Sequence, residues 1–232
     1  MEQLLLTGSQ IKSDINFANF YAGDNAMVIS YLSQFISAED EQYVYIYGAK
    51  GSGRSHLLQA LINHTSQNKL LGVYLPMMHW QQLEPSLFEG LMNYAVVCLD
   101  DVDAIVGESA WEIGLFNLFN ELKESNTKLV ISATKPPLQL SHQLADLASR
   151  LASGLCLNLK PLTDEQKQQA LHQRAQQCGF TLPKEVAKYL LTHYGREQGE
   201  LFATLEKLSE ASLLAQRKIT IPFLKQTLNQ AI

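Results

Sequence analysis

Short apolar runs alternate with longer stretches of helical periodicity through the first two thirds of the chain. Only the helical pattern continues beyond them. Residues 43–47, 71–76, 94–101, 128–134 and 155–159 are continuous runs rich in Val, Ile, Leu and Tyr. Runs without apolar–polar alternation belong to strands buried on both faces. Between them, apolar residues recur at helical spacing over about 26–36, 55–62, 109–124 and 142–151. Residues 79–93 read as a mostly helical connection, broken near Pro85. Alternation of this kind predicts an α/β domain: a mostly parallel five-stranded sheet with helices on both faces. The pattern changes at Lys160-Pro161-Leu162. Thr163 and Gln166 have capping-box spacing and open a helix that stops at Gly179. A second helix starts at Pro183 and stops at Gly195, a third runs over 197–216, and a fourth begins at Pro222. The domains expected are therefore an N-terminal tag over 1–10, an α/β domain over 11–160 and a small all-helical domain over 161–232.

The first strand feeds a glycine-rich turn, Gly48-Ala49-Lys50-Gly51-Ser52-Gly53-Arg54-Ser55, which opens into a helix at Ser55-His56. Strand, glycine loop and helix in that order form a phosphate cradle of inward backbone N–H groups and a positive helix end. The spacing is that of the P-loop, with Arg54 where the pattern has lysine. A planar guanidinium pairs well with phosphate oxygens but does not replace a compact ammonium. The motif predicts nucleotide binding rather than efficient hydrolysis, with Ser55 placed to reach a magnesium ion. The third strand ends in Asp100-Asp101, at the carboxyl end of a buried strand where open α/β sheets bind ligands. Asp100 is assigned to magnesium through water, and Asp101 to orientation of a water or a neighbouring group. Thr134, ending the fourth strand, is placed to touch a γ-phosphate or an attacking water. The aromatics of 17–21 either pack beside a nucleotide base or plug the edge of the core, and for Phe17 the core is the expected place. Gln3, Leu4 and Leu6 in the tag form either a docking peptide or a frayed end. The residues taken alone favour the frayed end.

Composition narrows the partners. A net charge of −5 and only 18% charged residues argue against a broad nucleic-acid footprint. The three cysteines, Cys98, Cys156 and Cys178, are far apart and make no paired motif, as expected for reduced thiols in a cytoplasmic protein. The histidines have no ligand spacing. No apolar run reaches membrane length, and the N-terminus has no basic-then-apolar signal, so a soluble intracellular chain is expected.

Phosphate loop, paired aspartates, hydroxyl-tipped strand, arginine-bearing helix and helical lid together resemble the AAA+ NTPases. Within them the chain is similar to the initiator clade, and to short regulatory homologues of the replication initiator DnaA. The likeness is carried by 17–25, 51–58, Asp146-Leu147-Ala148-Ser149-Arg150-Leu151 and 215–223, and covers nearly the whole chain. It implies that Gly48, Ala49, Lys50, Gly51, Ser52, Gly53, Arg54, Ser55 and His56 hold ADP or another adenine nucleotide, with or without magnesium. Phe20 and Tyr21 would flank the adenine. Asp100 and Asp101 match the Walker B acids, although strong AAA+ ATPases usually have glutamate second. Thr134 falls near the sensor I position. Arg150 matches an arginine finger, acting on ATP held by a neighbouring DnaA. Gln3-Leu4-Leu5-Leu6 resembles a sliding-clamp motif, with Thr7 in place of its proline, which reverses the reading of the tag as a frayed end. The partners implied are DnaA and the DNA polymerase III sliding clamp (its β subunit), with no membrane partner and DNA engaged only indirectly or weakly. Self-association through the tag would hide the clamp motif. The family's lid arginine aligns with Gly199, and Arg196 lies nearly one turn earlier. The resemblance thus implies a regulator that stimulates hydrolysis by DnaA and restrains initiation. The rival is a self-sufficient AAA+ ATPase that remodels or loads a partner.

Overall fold

The computed structural model describes residues 14–38, 41–194 and 198–229. They fall into two compact units divided between Lys160 and Pro161, with the short stretch Lys50–Gly53 grouping with the second.

The first unit is built on five strands: β1 (Tyr43–Tyr47), β2 (Gly72–Pro76), β3 (Val96–Asp100), β4 (Lys128–Ala133) and β5 (Leu155–Asn158). Their order is β2-β3-β4-β1-β5, and every pairing is parallel. Alternate side chains of each strand serve opposite faces. Val44, Ile46, Cys98 and Val130 pack with α1 (Ala26–Phe35) and α2 (Arg54–Gln67). Tyr43, Tyr45, Leu99 and Ile131 pack with α3 (Ser109–Lys123) and α4 (Ala145–Leu151) on the other side. Burial on both faces explains why β3 and β4 read as unbroken apolar runs. β5 forms an edge, and its residues alternate between half-buried and exposed.

Several expected elements take a different form. Residues 79–93 are three 3-10 segments, Met77–Gln82, Pro85–Phe88 and Leu91–Asn93, rather than a broken α-helix. Pro85 stops the chain once, and Gly90, at φ 75°, turns it again through the left-handed region. The helix expected from 142 begins only at Ala145. Asp101 does not extend β3 but lies beyond it in the left-handed conformation (φ 53°, ψ 50°).

In the second unit, α5 (Asp164–Gln177), α6 (Lys184–His193), α7 (Gln198–Ala215) and α8 (Ile221–Asn229) surround a core of Leu171, Leu190, Leu205, Leu208 and Leu224. Thr163 and Gln166 make the expected capping box, and Gly179 ends the α5 turn at φ 82°. Pro183 is the extended residue before α6 rather than its first helical residue. α8 begins one residue ahead of Pro222, with the Thr220 hydroxyl accepting from Phe223 N–H.

Two features of the sheet have measurable consequences. A Cβ on Gly154, just before β5, would lie 2.3 Å from Tyr43 Cδ1 and 2.8 Å from its carbonyl oxygen. Gly154→Ala is expected to destabilise the first unit by roughly 1–3 kcal/mol, read from urea unfolding. Burial also pushes the phenols of Tyr43, Tyr45 and Tyr74 upward from their ordinary value of 10.0, so they stay neutral when folded. Unfolding releases those protons only above that value, so their stabilisation is whole below pH 10 and declines above it. Each retained proton steepens the loss by about 1.4 kcal/mol per pH unit, which urea midpoints between pH about 9 and about 11 will show.

Candidate nucleotide-binding site

The turn leaving β1 is the expected P-loop. Gly48 N–H donates to Ala133 O of β4 at 3.2 Å, which anchors the start of the turn to the sheet. Gly51 and Gly53 have φ of 78° and 96°, a conformation that side chains resist. Ala49, Lys50 and Gly51 are exposed, and Ser52 is buried. Among the described residues no backbone carbonyl accepts from the N–H groups of Gly51, Ser52 or Gly53. Ser52 Oγ and Arg54 Nη1 are buried without a hydrogen-bond partner. Buried donors left unpaired are costly, and an anion beside them relieves that cost. These residues therefore fit a phosphate group. Ser55 is half-buried in the first turn of α2.

Arg54 is 6% exposed, and its Nη2 pairs with Asp101 Oδ1 at 2.7 Å. The P-loop cation and the second aspartate thus neutralise each other, and the backbone at Asp101 is left-handed. Asp100, 2% exposed, is satisfied from two sides. Tyr74 OH donates to Oδ2 at 2.6 Å, and Ser132 Oγ donates to Oδ1. Asp101 N–H donates to the same Ser132 Oγ at 3.0 Å, which continues the chain of bonds. Burial first, then the neighbouring Asp100 charge, drive the Tyr74 phenol upward, so it remains a donor. Thr134 Oγ1 donates to Asp103 Oδ2 at 2.5 Å, while Asp103 Oδ1 is buried without a partner.

Tyr74, Ser132 and Asp103 belong to none of the site motifs in the sequence. A hydroxyl inside the otherwise apolar run Leu129-Val130-Ile131-Ser132 was the available signal for Ser132, since a buried strand hydroxyl needs a partner. Asp103 stands two residues past the aspartate pair. Tyr74 carried no signal beyond its place on a buried strand.

On the α2 side, the Phe20 ring meets the His56 ring edge-on at 5.3 Å, and His56 Nε2 lies 3.1 Å from Asn16 O. Phe20 is buried and Tyr21 half-buried. Arg150 is elsewhere. Its guanidinium lies 4.3 Å over the Phe116 ring and 6.0 Å from that of Phe119. No carboxylate of the described residues pairs with it. Phe119 in turn meets Tyr43, the first residue of β1, whereas the P-loop leaves after Tyr47, the last. Arg150 and the P-loop therefore occupy opposite ends of one parallel sheet. Gln3, Leu4, Leu6 and Arg196 lie outside the described residues. Gly199 is in the first turn of α7, where an added Cβ would meet nothing within 4 Å.

A family model described as the bacterial DnaA ATPase domain matches residues 11–158, and one described as the Hda lid domain matches residues 164–228. The chain belongs to the bacterial DnaA ATPase-domain family, as an Hda-type member. Domain III of DnaA from Thermotoga maritima superposes with a TM-score of 0.79, over 96% of this chain and 98% of that one, at 23% identity. AMPPCP-bound DnaA from Aquifex aeolicus gives 0.72 over 85% of this chain and 66% of that chain, at 21% identity. The Thermotoga maritima RuvB branch-migration motor gives 0.64 over 92% and 73%, at 14% identity. At these identities the likeness is one of fold, and the fold is that of AAA+ proteins.

The site of this DnaA-family chain rests on the Asp100 cluster, which offers a direct test. Tyr74→Phe removes one donor from a buried carboxylate and is expected to cost about 2 kcal/mol, the worth of a hydrogen bond to a charged group. Urea unfolding against wild type measures it.

Proposed function

We propose that this chain is a regulatory AAA+ adaptor which holds an adenine nucleotide such as ADP and presents Arg150 to ATP bound on DnaA. Gln3, Leu4 and Leu6 dock it on the DNA-loaded sliding clamp, and the outcome is ATP hydrolysis in the initiator and restraint of new initiation. The observation that carries the reading is the position of Arg150. β5, four residues long, covers about 13 Å at the ordinary strand rise, and Arg150 lies before its start while the P-loop lies beyond its level. An arginine so placed serves a nucleotide on another subunit. Resting on aromatic faces, it keeps its full charge for phosphoryl oxygens.

The chain's own site is read as a holding site. The Gly51–Gly53 N–H groups, Ser52 Oγ and Arg54 Nη1 take the phosphates, and Phe20 and Tyr21 border the base. Ser55 and Asp100 are the positions for magnesium, with Asp100 reaching it through water. When bound, the nucleotide supplies the negative charge that these donors would otherwise lack. Asp101, tied to Arg54, is poorly disposed to orient water, and Thr134 is engaged with Asp103. Both features support weak intrinsic hydrolysis and count against the self-sufficient ATPase. No helix of the described residues is long and apolar enough to cross a membrane.

The test is ATP hydrolysis by purified DnaA with DNA-loaded clamp and this protein. Wild type is expected to accelerate hydrolysis, and Arg150→Ala to forfeit the acceleration, roughly a thousandfold or more for a finger of this kind, while still binding ADP. Hydrolysis by the chain alone, with no effect on DnaA, would establish the rival reading.

A further inference from the structure

Glu112 is a carboxylate in the first turn of α3 whose side chain is 2% exposed. Burial of a charge at such a place is costly unless donors surround it. Three backbone N–H groups do so. Gly107 donates to Oε1 at 2.8 Å, Gln143 to Oε1 at 3.1 Å and Leu144 to Oε2 at 2.7 Å. The His142 ring also faces it, with Nδ1 3.9 Å from Oε1 and Nε2 3.2 Å from Pro137 O. Gln143 Nε2 donates to Gly107 O, so the two loops are joined twice.

Gln143 and Leu144 are the residues that lead into α4. That helix has seven residues, too few to be stable alone, and the residue preceding it, Leu144, offers no side-chain cap. Leu147 and Leu151 bury one side of α4 and fix its depth, but apolar contacts are non-directional. The direction of the helix is set at its entry, where Glu112 holds consecutive N–H groups with its two oxygens. Arg150 is the sixth residue of α4, and Phe116, which faces its guanidinium, lies one helical turn from Glu112 on α3. One carboxylate therefore fixes the entry of the arginine's helix from the same element that supports its head.

We propose that Glu112 is a positioning residue for Arg150, holding α4 in the orientation from which the guanidinium is delivered to a partner's nucleotide. The inference rests on the reading of Arg150 as a finger acting in trans. Glu112→Gln keeps the shape of the side chain. With its amide oxygen at the Oε1 position it still accepts from Gly107 and Gln143, but its NH₂ faces the Leu144 N–H. The variant thus releases α4 while leaving the rest of the cluster bonded.

The experiment is DnaA-bound ATP hydrolysis with DNA-loaded clamp, titrated with full-length wild type, Glu112→Gln, Arg150→Ala and the double variant, alongside ADP binding and hydrogen exchange. Glu112→Gln is expected to lower the maximal rate on the order of tenfold, as misplacement of a reacting group does, without shifting half-saturation or ADP binding. Exchange should rise over 144–151 only. In the Arg150→Ala background the same substitution should add nothing, because both changes act through one group. An undiminished maximal rate, or an equal loss in both backgrounds, overturns the proposal. So does exchange rising across the whole unit, or lost ADP binding, since each means Glu112 only holds the fold. If Arg150→Ala itself leaves stimulation intact, the finger reading fails first and this inference falls with it, a result distinct from failure of Glu112 alone.

Discussion

A strand buried on both faces can end in a charge only if the protein supplies donors for it. β3 ends in Asp100, and the sheet supplies them from its neighbours: Tyr74 from β2 and Ser132 from β4. Because β3 lies between those strands, the register that brings Leu75 beside Leu99 and Leu99 beside Ile131 also places the two hydroxyls on either side of the carboxylate. The cluster fixes the backbone of Asp101 through its N–H bond to Ser132. From there the chain turns through a left-handed residue, which aims Asp101 at Arg54. The arrangement of the site follows from satisfying one buried charge.

The Arg54–Asp101 pair accounts for what a lysine-to-arginine change does in this loop. An ammonium carries its charge on one atom, and engagement with an aspartate leaves it less available to phosphate. A guanidinium presents two faces of N–H groups, so Nη2 holds the aspartate while Nη1 stays buried and unpaired. The residue thus holds the aspartate on one side and keeps donors on the other. The same bond removes a carboxylate from the population of groups able to handle water, which supports the holding site proposed above.

Much of this was legible from the chain. Strands buried on both faces appear as unbroken apolar runs, so all five were placed within a residue or two. The P-loop glycines and the Thr163 capping box are local patterns whose physics acts over a few residues. The connection over 77–93 was not legible, because Pro85 and Gly90 break any helical period and leave only single turns. Partners distant in sequence were equally hidden. Tyr74 meets Asp100, Asp103 meets Thr134 and Glu112 meets Leu144 through the fold alone, at separations of 26, 31 and 32 residues. Resemblance supplied the rest: Arg150 on its own is one more arginine near a helix end.

What distinguishes Arg150 physically is the way it is held. An arginine bound to a carboxylate has its charge cancelled and its N–H groups occupied, and releasing it leaves the carboxylate without its counter-charge. Arg150 instead lies over the faces of Phe116 and Phe119, which attract a cation through their quadrupoles without accepting its hydrogen bonds. The guanidinium is oriented and retains its donors. Phe119 is itself braced against Tyr43, whose hydroxyl donates to Leu151 O at 3.0 Å, and Leu151 is the last residue of the helix that carries Arg150. The base of the sheet thus supports the arginine from both sides, through rings below the head and a hydrogen bond at the end of α4. A cation held in place but not neutralised, at the end of the sheet opposite its own phosphate loop, is suited to an anion that the chain does not itself hold.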